Sequence, residues 1–192
     1  TIASSPDEQC LRFVIRGLGD WTHRLIASLT VGDRVVVEGP YGHLAPIPSH
    51  SVDHVVWIAG GVGITPFLGT SISHLPDSGP TPHLFYCVPS RQIAPAIEML
   101  EAADRDGRIH LHVHASDEKN RLQPDHVITA LDVENLQNTH IVMCGPDSLV
   151  KSMKSGLRRH GARHMHVEGF DIRSGFGPDL SRHLDDIVRT QL

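Results

Sequence analysis

"AGGVGITPFL", residues 59–68, decides how the rest of the chain is read. Gly61 and Gly63 supply the Gly-x-Gly of a dinucleotide loop, but Pro66 stands where a third glycine would complete the usual fingerprint. An apolar run, HVVWIAGG, leads into the loop and a helical pattern, ITPFLGTSISHL, leads out of it. At such a junction the first helical N–H groups lack internal partners and the dipole presents its positive end, which suits a phosphate. Gly60, Gly61 and Gly63 are expected to let the backbone approach a pyrophosphate and to take positive φ. Thr65 is expected to cap the helix, with Pro66 at its first position, where a missing N–H has no helical partner anyway. The proline is then a helix-start device. A tight strand-to-helix turn without a ligand is the bland alternative.

Outward from this loop, apolar runs alternate with helical patterns. After HVVWIAGG come HLFYCV, a helix over 94–106, RIHLHVHA, a helix over 124–131, HIVMCG, a helix over 147–160, and HMHVEGF. Five β-type runs separated by helices predict an α/β fold, a doubly wound parallel sheet with helices on both faces. The first 50 residues differ. LRFVIR alternates like an antiparallel strand, TVGDRVVVEGP reads as a turn and a second strand, and DWTHRLIASL reads as a helix. Two or three strands cannot close a barrel or build a core alone, so an N-terminal portion is expected upstream. Pro46 and Pro48, with Ser49 and His50, mark a linker. The expected divisions are a partial antiparallel barrel over 1–50, the α/β domain over 51–175, and an extension over 176–192.

The 192 residues carry a formal charge of -5 with 15 histidines and no Lys/Arg run, which excludes nucleic acid as a main partner. Cys10, Cys87 and Cys144 form no CxxC pair, and two of them sit in apolar runs, so a reducing compartment is expected. No apolar run approaches the roughly 20 residues of a membrane helix.

Read together and in order, TIASSPDE, GDWTHRL, VEGPYG, AGGVGITPFL, YCVPSR, MCGPDSLV and EGFDIR resemble the flavin and nicotinamide modules of the ferredoxin-NADP reductase superfamily. Within it the chain looks most like the branch of NADPH oxidases and bacterial ferric-reductase-like membrane proteins. The resemblance implies FAD on a β-barrel, NADPH on the following α/β domain, hydride transfer from nicotinamide C4 to flavin N5, and single electrons passed onward to haem, ferric iron or oxygen. It also implies a haem-binding transmembrane domain at the N-terminal side, with this module on the cytoplasmic face. A soluble oxygenase reductase component is the alternative enzyme; a nucleotide-binding regulatory module without turnover is the alternative class.

The resemblance carries roles to particular residues. Thr1 would face the flavin N5 region. Gly19, Trp21 and Thr22 of GDWT would receive the FAD pyrophosphate, against the bland reading of a capped helix with Trp21 in a core. Ser90 and Arg91 stand where NAD-preferring folds place an acid, and a hydroxyl with a guanidinium suits the 2′-phosphate of NADPH. Cys144, Gly145 and Pro146 would line the nicotinamide pocket, the cysteine acting by position and not as a nucleophile. Glu168 would place a carboxylate near the reacting centre and Phe170 an aromatic ring on the flavin, although the chain departs from the pattern by continuing past Arg173.

His110, His112 and His114 alternate onto one strand face, and His164 and His166 lie on another strand. Neighbours on one strand face are about 7 Å apart and no Cys or acidic partner completes a set, so no metal site is assigned and a polar strand face is expected.

Overall fold

The computed structural model describes residues 2–37, 39, 47–48, 51–69, 72, 75–76 and 78–169. Its centre is a parallel five-stranded sheet of β1 (His54–Gly60), β2 (His83–Val88), β3 (His110–Ala115), β4 (Thr139–Gly145) and β5 (His164–Gly169), in the spatial order β3-β2-β1-β4-β5. The expected α/β class and all five strand segments are present. The continuous apolar runs of β1 and β4 belong to strands buried on both faces.

Alternation sorts each strand between two cores. Val55, Trp57 and Ala59 of β1 face one side, with Leu84 and Tyr86 of β2 and Val142 and Cys144 of β4. That side is covered by α2 (Thr65–Leu68) and α3 (Ile97–Arg105) through Phe67, Leu100 and Ala103, and Trp57 stacks on Phe67 with ring centroids 5.3 Å apart. Val56, Ile58, Phe85, Ile141 and Met143 face the other side. There Val127 and Leu131 of α4 (Pro124–Leu131) and Val150, Met153 and Leu157 of α5 (Asp147–Arg159) close the second core. Gly156 permits the two helices to meet, since a Cβ there would lie 2.1 Å from the Pro124 ring.

The first segment departs from expectation. Helix α1 (Asp20–Ser28) forms, but the strands expected from LRFVIR and VGDRVVVEG do not form among the described residues of 2–37. The one pairing there is an isolated antiparallel bridge between Ile2 and Phe13. A strand is held by hydrogen bonds to a neighbouring edge, and among the described residues Val35 and Val37 have none: Val35, Val36 and Val37 are exposed, as are Leu11 and Ile15. Helix α1 buries no residue at all. The exception is Ala3, Ser4 and Ser5, which are buried; the Ser4 carbonyl lies against Gly69 at the end of α2, 2.4 Å from where a Cβ would stand.

Candidate functional site

The sheet order reverses direction between β1 and β4, because the chain steps from β1 outward to β2 and β3 and then returns to the other side of β1. In such sheets ligands bind beyond the carboxyl ends of the strands at that point. Here the carboxyl ends are Gly60 and Gly145, followed by the 3-10 turn Gly61–Ile64 and by Pro146. The glycine loop read from the sequence therefore occupies the crevice position.

Its glycines divide the work differently from the expected pattern. Only Gly61 takes positive φ, at 54°, and nothing lies within 4 Å of where its Cβ would be. Gly60 is extended at φ -120°, and a Cβ there would meet the Pro146 ring at 2.6 Å. A Cβ on Gly63 would fall 2.2 Å from the Cys144 carbonyl oxygen. Gly60 and Gly63 thus serve close packing of the β1 turn onto the β4 end, and Gly61 alone supplies the left-handed turn with open space before it. A left-handed glycine with open space where its Cβ would stand leaves room for a pyrophosphate to approach the backbone.

Thr65 is not the helix cap. The helical run already begins at Gly61, Ile64 precedes α2 with helical dihedrals, and the Thr65 hydroxyl donates to the Val62 carbonyl at 3.0 Å, within the turn. Pro66 does fall in the first turn of α2, as its missing N–H requires. Thr65 and Pro66 are both buried, so they shape the turn from behind.

Cys144 lies at the end of β4, fully buried in the core that contains Trp57. Burial, and next the nearby Glu168 carboxylate, push its thiol up to about 12, so it stays protonated at neutral pH. Glu168 is its register partner on β5 and is half-buried. Gly145 packs on Gly60, and Pro146 is exposed beside it. Thr1 and Phe170 lie outside the described residues.

Ser90 caps the short turn Arg91–Ile93 by accepting from the Gln92 N–H at 3.3 Å. Arg91 is engaged by Glu101 of α3, Nη1 to Oε1 at 3.1 Å, with both side chains more than a third exposed (45% and 40%). At the other end of the chain, Gly19 takes φ 83° and Leu18 N–H donates to the Thr22 hydroxyl at 2.6 Å. Trp21 is 67% exposed, which removes the reading that places it in a core.

Two features of the crevice were not read from the sequence. The Tyr86 hydroxyl, on β2, lies 3.2 Å from the Gly61 carbonyl and 3.2 Å from the Pro95 carbonyl. Its signal was a tyrosine inside an apolar strand run, since a buried phenol needs a partner. The second feature is a cleft beyond β3 lined by Ser116, Lys119, Asn120, Arg121, Gln123 and His126. The loop that carries it is fixed to the loop after β2 by Ser116 N–H to the Val88 carbonyl (3.0 Å) and Asp117 N–H to the Pro89 carbonyl (3.1 Å). Lys119 and Arg121 have no ion-pair partner among the described residues, so this loop adds two basic groups to the carboxyl edge. The charged run DEKNR after a strand was its legible sign.

The histidines of β3 point where alternation placed them. His112 lies over His83, Nε2 to Nδ1 at 3.2 Å, and stacks on Phe85; His114 stacks on His126. His164 and His166 are on β5, at the opposite edge of the sheet, and do not approach this group. Among the described residues no three His, Cys, Asp or Glu side chains are grouped to hold a metal.

Comparison with known proteins decides the family. The model of the oxidoreductase NAD-binding domain matches residues 57–155, just over half of the chain and the whole of β1 to β4 apart from the start of β1. The chain belongs to the oxidoreductase NAD-binding domain family. It is 31% identical over 186 residues to the carnitine monooxygenase reductase subunit of Escherichia coli (strain K12), covering 92% of this chain and 54% of that protein. It is 31% identical over 155 residues to the phenoxybenzoate dioxygenase subunit beta of Ectopseudomonas oleovorans, covering 81% of this chain and 44% of that protein. The chain therefore spans about half the length of these relatives. Its fold matches the ferredoxin NADP+ reductase of Neisseria gonorrhoeae, whose structure was solved with bound FAD and NADP, at TM-score 0.72 and 20% identity over 88% of this chain and 78% of that one.

Proposed function

We propose that the chain is the nicotinamide-dinucleotide module, joined to the C-terminal part of a flavin domain, of an NADPH-dependent flavoprotein reductase that feeds electrons to an oxygenase. The observation that carries this reading is the open left-handed turn at Gly61, set in the crevice between β1 and β4 of a sheet whose family binds NAD. The dinucleotide, when bound, supplies hydride and FAD divides it into single electrons. The chain's own residues do the rest. Gly61 and its neighbours hold the pyrophosphate, Ser90 and Arg91 meet the adenosine side, and Lys119 and Arg121 add positive charge there. Gly145 and Pro146 wall the nicotinamide end. Cys144, kept protonated and buried, acts by packing beneath the turn.

The two monooxygenase- and dioxygenase-associated relatives match over most of this chain, and this supports the oxygenase reductase over the membrane oxidoreductase expected from the motifs. No helix among the described residues is long and apolar enough to cross a membrane. Transmembrane helices encoded upstream of Thr1 in the full gene would return the membrane reading.

Calorimetric titration with NADPH, NADH and FAD tests the assignment. NADPH is expected to bind more tightly than NADH, and Arg91→Ala to weaken NADPH alone. Equal affinities, both unchanged in Arg91→Ala, would remove the NADPH assignment; no binding of either nicotinamide would remove the module reading.

A further inference from the structure

The loops after β1 and β2 form adjacent walls of the crevice, and one side chain reaches both. Tyr86 projects from β2 into the core beneath them, fully buried, with its hydroxyl 3.2 Å from the carbonyl of Gly61 and 3.2 Å from that of Pro95. A phenol has one proton to donate, so these two carbonyls share it. Burial raises the phenol above its ordinary range, so the hydroxyl carries its proton at neutral pH.

The consequence for the turn follows from peptide geometry. In a planar trans peptide the C=O and the next N–H point in opposite directions. Holding the Gly61 carbonyl toward Tyr86 therefore turns the Val62 N–H away from the core, and that N–H belongs to the first turn of the helical run, where no intrahelical carbonyl accepts it. Gly61 is the residue that a lost restraint would free most readily, because glycine at φ 54° has other wells open to it. Pro95 precedes Ala96, which holds the left-handed φ of 58° that starts α3, so the second carbonyl is also fixed at a bend.

We propose that Tyr86 is a positioning residue for the dinucleotide: its hydroxyl ties the glycine turn to the loop after β2 and presets the crevice for the pyrophosphate. This inference rests on the dinucleotide reading above. Tyr86→Phe keeps the buried ring and removes only the tie. In the 192-residue chain it is expected to weaken NADPH by about three- to tenfold, the range of one net hydrogen bond, and to speed amide exchange at Val62 and Gly63 while leaving β4 and α5 unchanged. Val88→Ala, which opens the same core from the same strand and removes no hydrogen bond to either carbonyl, serves as the matched control for lost stability. The inference is overturned if Tyr86→Phe binds NADPH as tightly as the parent, or if Val88→Ala at an equal loss of Tm weakens binding equally. A parent chain that binds neither NADPH nor NADH overturns the dinucleotide reading and this inference with it.

Discussion

Two stretches of this chain carry β-type apolar patterns, and among the described residues only one becomes a sheet. In β1, Val55, Trp57 and Ala59 enter one core while Val56 and Ile58 enter the other, and every strand has a hydrogen-bonded neighbour. In residues 11–37, Leu11, Phe13 and Ile15 alternate and Val35 to Val37 form a short apolar run, yet they are exposed, and among the described residues the one pairing of this segment is the bridge of Phe13 to Ile2. Pattern sets which face a strand would bury; a partner edge and a covering layer decide whether it forms.

The widest break in that comparison is a pair of tryptophans. Trp57→Ala removes a fully buried ring stacked on Phe67 and is expected to cost about 3–5 kcal/mol in urea denaturation. Trp21→Ala, at an exposed ring on a helix that buries nothing, is expected to stay within about 0.5 kcal/mol. Equal effects would mean that the first segment packs more firmly than described.

The glycines sharpen it next. Gly63→Ala forces a methyl toward the Cys144 carbonyl and is expected to cost about 1–3 kcal/mol by thermal unfolding, because backbone must move. Gly61→Ala meets no atom, and its expected cost of about 1–2 kcal/mol is the left-handed conformation alone. Dinucleotide affinity should fall in both.

A smaller effect distinguishes the sheet by pH. His83 on β2 is held neutral, its pKa lowered to about 4, first by burial and then by His110, His112 and His54. The unfolded chain takes up this proton near 6.5 and the folded one only near 4, so His83 contributes stability that is complete above 6.5 and lost as pH falls between those values. His83→Asn should flatten the Tm profile over that window.

The sheet was legible because β1 and β4 are continuous apolar runs ending in glycine, β3 and β5 alternate, and the helices have clear starts, such as Pro124 and Asp147. The crevice was legible because glycine and proline mark backbone needs. What each glycine does was not. Gly60 and Gly63 pack against β4, some 80 residues onward, a contact that no local pattern encodes. For the same reason the pairing of Arg91 with Glu101 across a loop, and the reach of Tyr86 to two carbonyls, appear only once the chain is folded.

The central claim is that the carboxyl edge at β1 and β4 receives the dinucleotide, and its competitor is on the molecule. A cleft of about 660 Å³ lies at the opposite end of the sheet, lined by Val52, Val55, Pro82, Gly107 and Arg108 among others. Amide chemical shifts recorded during an NADPH titration separate the two. The account predicts that the largest changes fall on Gly60 to Gly63 and on Gly145 and Asp147. Changes concentrated at Val52, Val55, Gly107 and Arg108, with the glycine turn unmoved, would contradict it.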